Sequence, residues 1–401
     1  MLWSISGGGT ARVIAGLLLI SPLAIGATAA TARAEEPASA DMQKRMAIYR
    51  KKLAEYTTAW DAYEKVAVPY WRSVSDKRSA RRAKRARGGQ ITAADYVLEQ
   101  PPVYTGPPKP KNPEEENKPQ PREIPVVEDF LANAKKHFGF TPQAPAKEID
   151  FKQAYARVAS AAGLTKEAAV KIYGFECGGN GKYDVQAGRE YDPNARVIST
   201  ALGYNQLLTT NSVELLAEAG DAFIAALEKA QSGASDERKA QLLDKIAALK
   251  KMIAFSRSVP DDWNAHDRLG KTPKGLGVHA LNLDVDVGPL LQTEKLLTSV
   301  KFARRSGYTA PLTAAGLEMM NLTGDGNGFD MVQMPQPLRE KVPTSNFFQR
   351  GGYERNDVAA RHNTVAKLLA ATDAKMESEA KLQGAKDLAA AFDTAAQTAR
   401  Q

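Results

Sequence analysis

The feature that most constrains this chain is a run of prolines that divides it. Nine prolines stand between residues 101 and 125, at positions 101, 102, 107, 108, 110, 113, 119, 121 and 125. Proline lacks a backbone N–H and fixes φ, so such a run excludes an α-helix interior and a central β-strand. The sequence therefore predicts an extended, semi-rigid linker over 101–125, with separate folded parts on either side.

The first 34 residues have the pattern of a secretory signal peptide. Arg12 precedes an apolar run over residues 13–25, and the small residues Ala32 and Ala34 come before Glu35. The apolar run is shorter than the ~20 residues that span a bilayer, although a permanent membrane anchor is the alternative. We expect cleavage after Ala34, no transmembrane segment in the mature chain, and a periplasmic or secreted location.

Residues 35–100 are predicted to form a helical arm. Large side chains recur at intervals of four and three residues from Met42 to Ala67, which predicts one helix that ends before Pro69. Its apolar stripe either packs on its own domain or joins a partner protein of the cell envelope. A cationic run follows at positions 77, 78, 81, 82, 84, 85 and 87. Such a run is typical of a solvated segment, and an exported protein meets anionic envelope polymers before nucleic acid.

Composition excludes several classes of site. The chain has one cysteine, Cys177, and four histidines that are scattered along it. These residues cannot supply an internal disulfide, a zinc finger, an iron–sulfur site or a closed zinc cage. We therefore expect no metal and no cofactor. The formal net charge of +8 favours anionic partners without naming one.

Beyond the linker the apolar residues keep helical spacing, and no sustained alternation indicates a large sheet. The sequence predicts a mainly α fold with its main domain over 126–372 and a polar, alanine-rich tail over 373–401. Thr165 is placed to cap one of the helices. Helices are expected over 127–138, 151–162, 166–175, 290–305, 314–320 and 357–371, with a helical hairpin that is broken at 232–235.

Glu176 is the residue on which an enzymatic interpretation depends. It follows Ala169, Ile172 and Tyr173 on the apolar face of the helix that Thr165 opens, and Gly178 ends that helix. Burial and the negative end of the helix dipole both raise the pKa of a carboxyl group there, which suits a general acid near neutral pH. The alternative is a glutamate that turns outward or pairs with a buried arginine.

Two later segments complete a resemblance. Glu176 with its following glycines, then Ala201-Leu202-Gly203-Tyr204-Asn205-Gln206-Leu207, then Met320-Asn321-Leu322-Thr323-Gly324-Asp325-Gly326 stand in this order. The set resembles the soluble lytic transglycosylases and goose-type lysozymes, over about residues 154–332. The departures are Cys177 in place of the usual serine, Met320 in place of a tyrosine, Val197 in place of another serine, and a longer gap before Gln206.

The resemblance implies a lysozyme-like helical domain that cleaves the bond between N-acetylmuramic acid and N-acetylglucosamine in peptidoglycan glycan strands. Glu176 would be the single general acid and base, and the product would be an anhydro sugar. Gln206, Asn321 and Gly203 would contact sugar groups, and Tyr204 would form a wall against a sugar ring. Turn formation is the alternative role for these residues.

Two other interpretations stay open. The longer gap before Gln206 implies an inserted loop around residues 182–194. A hydrolase needs a second carboxylate, which Asp184, Glu190 or Asp192 in this inserted loop could supply. A descendant that has lost the chemistry would be a non-catalytic protein of the cell envelope that binds glycan or acts as a scaffold. The environment of Glu176 discriminates between an enzyme and such a scaffold.

Overall fold

The computed structural model describes residues 40–116 and 124–398, which are mainly helical, as the sequence predicts. The predicted signal peptide over 1–34 lies outside these residues. Isolated β-bridges join Gln186 to Leu202, Leu202 to Leu207 and Pro343 to Thr364. Within the described ranges, no helix combines the length and the apolar character needed to cross a membrane.

Sixteen α-helices are present in the described residues. They are α1 Ala40–Ala86, α2 Val127–Phe138, α3 Glu148–Ala161, α4 Lys166–Cys177, α5 Thr209–Gln231, α6 Asp236–Ser256, α7 Trp263–Gly270, α8 Pro273–His279, α9 Gly288–Arg305, α10 Ala314–Thr323, α11 Asp325–Gln333, α12 Gln336–Arg339, α13 Arg350–Glu354, α14 Asp357–Arg361, α15 Val365–Glu379 and α16 Gln383–Thr398.

The chain divides into two compact units, and the described part of the smaller one comprises residues 40–76 and 100–116. The tyrosine of the proline-rich segment, Tyr104, packs its ring against the stripe of α1. Its ring centroid lies 6.0 Å from that of Tyr56, 5.1 Å from Trp60 and 5.6 Å from Tyr63. The predicted linker is therefore partly docked on α1, which favours packing of the stripe on its own chain.

Helix α1 does not end before Pro69, which corrects the prediction made from the sequence. Proline removes one backbone hydrogen bond, and contacts farther along the helix compensate for it. The cationic run is helical, and part of it is buried rather than solvated. Arg81 is 1% exposed, donates to the carbonyl groups of Asp95 and Asn346 at 3.0 Å each, and lies 4.4 Å from the ring centre of Tyr96.

The larger unit comprises residues 77–99 together with residues 124–398. The chain passes from one unit to the other between Asp76 and Lys77, within α1, and again between Glu99 and Gln100. Residues 373–398 of the expected C-terminal tail also belong to this unit, because α15 continues to Glu379 and α16 packs on α3. Leu388 and Phe392 of α16 are 0% and 3% exposed in a hydrophobic cluster with Tyr155 and Tyr173. Leu388 and Phe392 mark this buried face because they stand four residues apart among many alanines.

Several helices of the larger unit match their predicted positions. Helix α2 has the predicted bounds, and the hydroxyl of Thr165 accepts the N–H of Ala168 at the start of α4. Helices α5 and α6 form the expected hairpin and pack against each other. Their apolar faces join α2, α8 and α9 in a second hydrophobic cluster that includes Phe130, Leu216 and Leu249.

Candidate active site

The end of α4 fixes the position of Glu176. Gly178 has a φ of +72° and Gly179 a φ of +69°, both in the left-handed region that favours glycine. A Cβ atom on Gly179 would lie 2.5 Å from the carbonyl oxygen of Glu379. The two glycines thus end the helix and allow a close approach to the end of α15. The Glu176 side chain is left half-buried, one residue before the helix ends.

Two side chains of α10 reach Glu176. The amide nitrogen Nδ2 of Asn321 donates to Glu176 Oε1 at 3.2 Å. Glu318, one turn earlier on the same face of α10, forms side-chain hydrogen bonds with both Glu176 and Asn321. Glu318 is 1% exposed, and its Oε2 has no hydrogen-bond partner among the described residues. The site is therefore a carboxyl pair with one amide donor.

Burial raises the pKa of both carboxyl groups. For Glu176 the hydrogen bond from Glu318 and the positive charges of Lys295 and Lys375 offset part of this rise. For Glu318 the neighbouring Glu176 carboxylate adds to the effect of burial and raises the pKa further. Two carboxyl groups in contact share a proton because both cannot be ionised together at low cost. The structure thus supports a Glu318 that stays neutral and donates to Glu176 whenever Glu176 is ionised.

Lys295 of α9 is a positive charge on which this pair and two more carboxylates act. Its pKa is lowered by burial, and the charges that counter this effect are those of Glu214, Asp325, Glu318 and Glu176. Burial raises the pKa of Glu214, on α5, to about 7. Asp325 begins α11 and accepts the Ser299 hydroxyl at 2.5 Å. We refer to Glu176, Glu214, Lys295, Glu318 and Asp325 as the glutamate cluster.

The segment around Gly203 forms a turn whose polar groups mostly bond to the protein itself. Gly203 has a φ of +80°, and a Cβ there would lie 2.4 Å from Nε2 of Gln292. Gln206 has a φ of 45°, in the left-handed region, and its Nε2 donates to the carbonyl groups of Val185 and Gly203 at 3.1 and 2.9 Å. Turn formation accounts for these contacts.

Tyr204 lies in the core and offers no ring face to a ligand in this structure. It is 0% exposed, and its ring packs edge to face on Tyr173 with a centroid distance of 4.8 Å. Its hydroxyl donates to Glu148. The ring of Tyr204 was predicted to form a wall against a sugar ring, and it packs instead against other aromatic residues of the protein.

No family model, curated protein or solved structure matches the chain. Within the described residues, no group of three or more His, Cys, Asp or Glu side chains is arranged to hold a metal ion. Interpretation of the site therefore depends on its own contacts and charges.

The three acidic residues of the inserted loop differ in their exposure and in their effect on Glu176. Asp184 and Asp192 are exposed, and Asp192 accepts the N–H of Asn194 at 2.9 Å. Glu190 is half-buried, accepts the N–H of Gly188 at 3.1 Å, and has a charge that raises the pKa of Glu176. Glu190 is thus the one member of the three whose charge acts on Glu176.

A second buried polar group, the histidine network, consists of Asn205, Ser212, His279, Asn282 and Gln292. His279 Nε2 lies 2.8 Å from the carbonyl oxygen of Thr200, so this nitrogen carries the proton and donates. The Ser212 hydroxyl can then donate to Nδ1, also at 2.8 Å. Both residues are 0% exposed. Although a serine next to a histidine is typical of nucleophilic catalysis, this pair has no access for a substrate.

The thiol of Cys177 is buried and donates to the carbonyl oxygen of Tyr173 at 3.0 Å. Burial raises its pKa well above the usual value. A protonated, inaccessible thiol is a poor nucleophile.

Sequence reasoning found Glu176 and Asn321 but missed Glu318, Glu214 and Lys295. Glu318 had a detectable signal, because it interrupts the apolar run Ala-Ala-Gly-Leu-Glu-Met-Met and stands three residues before Asn321. Glu214 lies between Val213 and Leu215 near the start of α5, on the flank of the apolar stripe. Lys295 gave no comparable signal.

Proposed function

We propose that this protein is an exported peptidoglycan lytic transglycosylase that uses Glu176 as its general acid and base. The observation that carries the proposal is the carboxyl group of the half-buried residue Glu176, which lies at the end of α4 beside Asn321 and Glu318. A general acid needs a raised pKa and access to substrate, and burial that is only partial can provide both.

The contact between Glu176 and Asn321 supports the family interpretation. The two residues are 145 positions apart and belong to two different segments of the resemblance to lytic transglycosylases. An arginine clamp would favour a scaffold, but the positive charges that act on Glu176 come from Lys295 and Lys375. Because these positive charges come from lysines and not from an arginine clamp, they favour an enzyme over a scaffold.

The proposed reaction needs two proton transfers, one from Glu176 and one back to it. Protonated Glu176 donates to the glycosidic oxygen, and the bond from that oxygen to the muramyl carbon breaks. The N-acetyl group of the substrate stabilises the positive charge that develops on that carbon. Deprotonated Glu176 then takes the proton of the muramyl 6-hydroxyl, whose oxygen closes the anhydro ring. The amide of Asn321 holds the Glu176 carboxylate in position, and no metal or cofactor takes part.

The turn around Gly203 favours a second candidate, a glycan-binding or scaffolding protein of the envelope without catalytic activity. Gln206 donates its amide hydrogens to backbone carbonyl groups, and Tyr204 is enclosed in the core. Two of the expected sugar contacts are thus used within the protein. This candidate keeps the glycan as ligand and removes the chemistry.

Replacement of Glu176 by Gln tests the proposal. The amide keeps the shape of the side chain but cannot give and take a proton, so a loss of ~10²–10⁴ in rate is expected. Purified peptidoglycan is incubated with the mature protein, and the released anhydromuropeptides are measured by mass spectrometry. Glu167→Gln is the matched control, because Glu167 is exposed on the same helix.

We expect release by the wild type and by the control, and none by Glu176→Gln with circular dichroism unchanged. Ordinary reducing ends from the wild type would indicate a hydrolase instead, with Glu190, Glu214 or Glu318 as the second carboxylate. Binding of glycan without cleavage by the wild type would establish the non-catalytic candidate.

A further inference from the structure

The described part of the smaller unit pairs α1 with a segment that is rich in proline. Residues 101–112 form neither helix nor strand and run back along α1. Three contacts fix this direction, because their positions rise along the segment and fall along α1. The contacts join Pro102 to Tyr63, Gly106 to Ala59 and Glu116 to Arg45. We refer to residues 100–116 as the proline segment.

Three aromatic side chains of α1 form the surface that receives this segment. Tyr56 and Trp60 stack with ring centroids 5.7 Å apart, and the ring of Tyr63 lies 5.3 Å from that of Trp60. The ring of Tyr104 meets all three rings edge-on. These four residues are half-buried, so part of each remains accessible. We refer to Tyr56, Trp60 and Tyr63 as the aromatic face.

The proline segment contacts α1 as a polyproline ligand contacts its receptor. The hydroxyl of Tyr63 donates to the carbonyl oxygen of Pro102 at 3.4 Å. Within the described ranges, no backbone group of residues 101–111 bonds to another backbone group. Extended proline-rich peptides dock on aromatic surfaces in this way, because proline fixes φ and little conformational entropy is lost on binding.

Few side chains hold the proline segment in place. Val103 is 76% exposed, and the two prolines at 107 and 108 are exposed as well. The ion pair of Arg45 with Glu116 joins side chains that are 39% and 44% exposed, so it contributes little. Tyr104 is the side chain that contacts every ring of the aromatic face. An external segment with a comparable anchor can therefore take its place.

We propose that the aromatic face is a recognition site for an extended, proline-rich segment of another protein, and that the proline segment occupies it as an internal competitor. The internal occupant defines the ligand chemistry, which is an aromatic side chain flanked by prolines. An internal segment acts at an effective concentration on the order of 1 mM, so a second copy of the chain does not displace it at micromolar concentrations. The site does not involve Glu176, so this proposal is independent of the proposed function.

A labelled peptide with the sequence of residues 100–116 is the probe, and fluorescence anisotropy measures its binding to the full mature chain. Tyr104→Ser removes the internal anchor and keeps the aromatic face. This variant should bind the peptide roughly tenfold or more tightly than the wild type does. Trp60→Ala added to this variant should abolish binding. The matched control is Val103→Ser, a change at the exposed neighbour of Tyr104, which should behave as the wild type.

Gly106→Val displaces the proline segment without the loss of an aromatic residue. A Cβ at position 106 would lie 2.8 Å from the Cβ of Ala59, so the segment should lift from α1. This variant should bind the peptide as tightly as Tyr104→Ser does. Circular dichroism of each variant separates unfolding from loss of the site.

Three results would overturn the proposal. They are equal binding by the wild type and both single variants, no binding by either variant with circular dichroism unchanged, and binding that survives Trp60→Ala. Light scattering tests the remaining occupant. A wild-type dimer at micromolar concentration that Tyr104→Ser dissociates would assign the aromatic face to a second copy of the chain instead of another protein.

Discussion

The glutamate cluster and the histidine network are both polar groups inside the larger helical unit, but they differ in the kind of side chain they bring together. In the histidine network, Gln292 alone accepts the N–H of Asn205 at 2.8 Å and donates to Asn282 Oδ1 at 2.9 Å. Each region leaves one buried oxygen without a partner among the described residues, Asn205 Oδ1 in the histidine network and Glu318 Oε2 in the glutamate cluster. The two regions differ in that the histidine network joins neutral donors and acceptors, which hold a fold together, whereas the glutamate cluster gathers ionisable groups, which are available for chemistry.

The same contrast appears in the charges. Burial lowers the pKa of His279 to about 4, so the ring is neutral and has one defined tautomer. Burial raises the pKa of the carboxyl groups in the glutamate cluster, so they hold protons near neutral pH. A neutral network is rigid and inert. A cluster that retains removable protons can act as an acid or a base.

The largest effect on stability should come from Gln292→Ala. The change removes the partners of the Asn205 N–H, the Leu202 carbonyl and Asn282 Oδ1. Each unpaired buried group costs ~1–3 kcal/mol, so the free energy of unfolding should fall by about 4 kcal/mol. Urea denaturation measures it. Glu318→Met in the glutamate cluster should change it by less than about 1 kcal/mol, and an equal loss in both variants would remove the contrast between the two regions.

The second largest effect is the pH dependence due to His279. Its pKa falls from 6.5 in the unfolded chain to about 4 in the fold, so its contribution is complete above pH 6.5 and is lost as the pH falls towards 4. At about 1.4 kcal/mol per pH unit, this loss amounts to about 3 kcal/mol. His279→Gln should flatten this acid limb in a series of urea denaturations. An unchanged slope would show that another group is responsible.

Glu214→Gln should change the stability of the protein at alkaline pH, the opposite limb of the pH dependence from that of His279. The pKa of Glu214 rises from 4.5 to about 7, so its contribution is complete below pH 4.5 and is lost as the pH rises through 7. The variant should therefore exceed the wild type in stability at pH 8 by about 2 kcal/mol, a value reduced for partial solvent access. At pH 4 the two proteins should be equal. A variant that is less stable at pH 8 would contradict the assignment.

The smallest effect should come from Asn321→Ala, and it concerns activity. The change removes the amide donor to Glu176 Oε1, so the ionised carboxylate is less stable and less well oriented. We expect about a tenfold loss of kcat/KM for glycan cleavage, the size of one charge-assisted hydrogen bond. The alkaline limb of its pH profile should move to higher pH. Asn327→Ala, on the neighbouring helix α11, is the control and should keep the wild-type profile.

The sequence predicted the helices whose apolar faces repeat regularly, such as α2, α5 and α6. It failed where long-range contacts decide the structure. The helix continues past Pro69 because Arg78 and Arg81 bond to carbonyl groups of a segment more than 260 residues away. The local pattern of charges does not predict a hydrogen-bond partner that is so distant along the chain. Helix α16 was missed because alanine at every interval hides the few large side chains that mark its buried face.

The candidate site was predicted only in part for the same reason. The position of Glu176 followed from local spacing and from glycines that end a helix. Asn321 followed from the resemblance, and the structure brings it to Glu176. The places of Lys295 and Glu214 in the site depend on the packing of helices α5, α9 and α10. The sequence of a single helix does not determine this packing. Tyr204 shows the reverse case, because a segment with suitable residues turns its aromatic ring into the core.

The burial of Cys177 has a practical consequence for kinetics. Its thiol is enclosed at the end of α4, next to Glu176, and is bonded to the carbonyl oxygen of Tyr173. It is also the single cysteine of the chain. A thiol reagent can therefore react only during moments when this end of the helix opens. The rate of labelling therefore measures how often this end of the helix opens, and no engineered cysteine is needed. Ligands that bind beside Glu176 and hold α4 closed would slow the labelling.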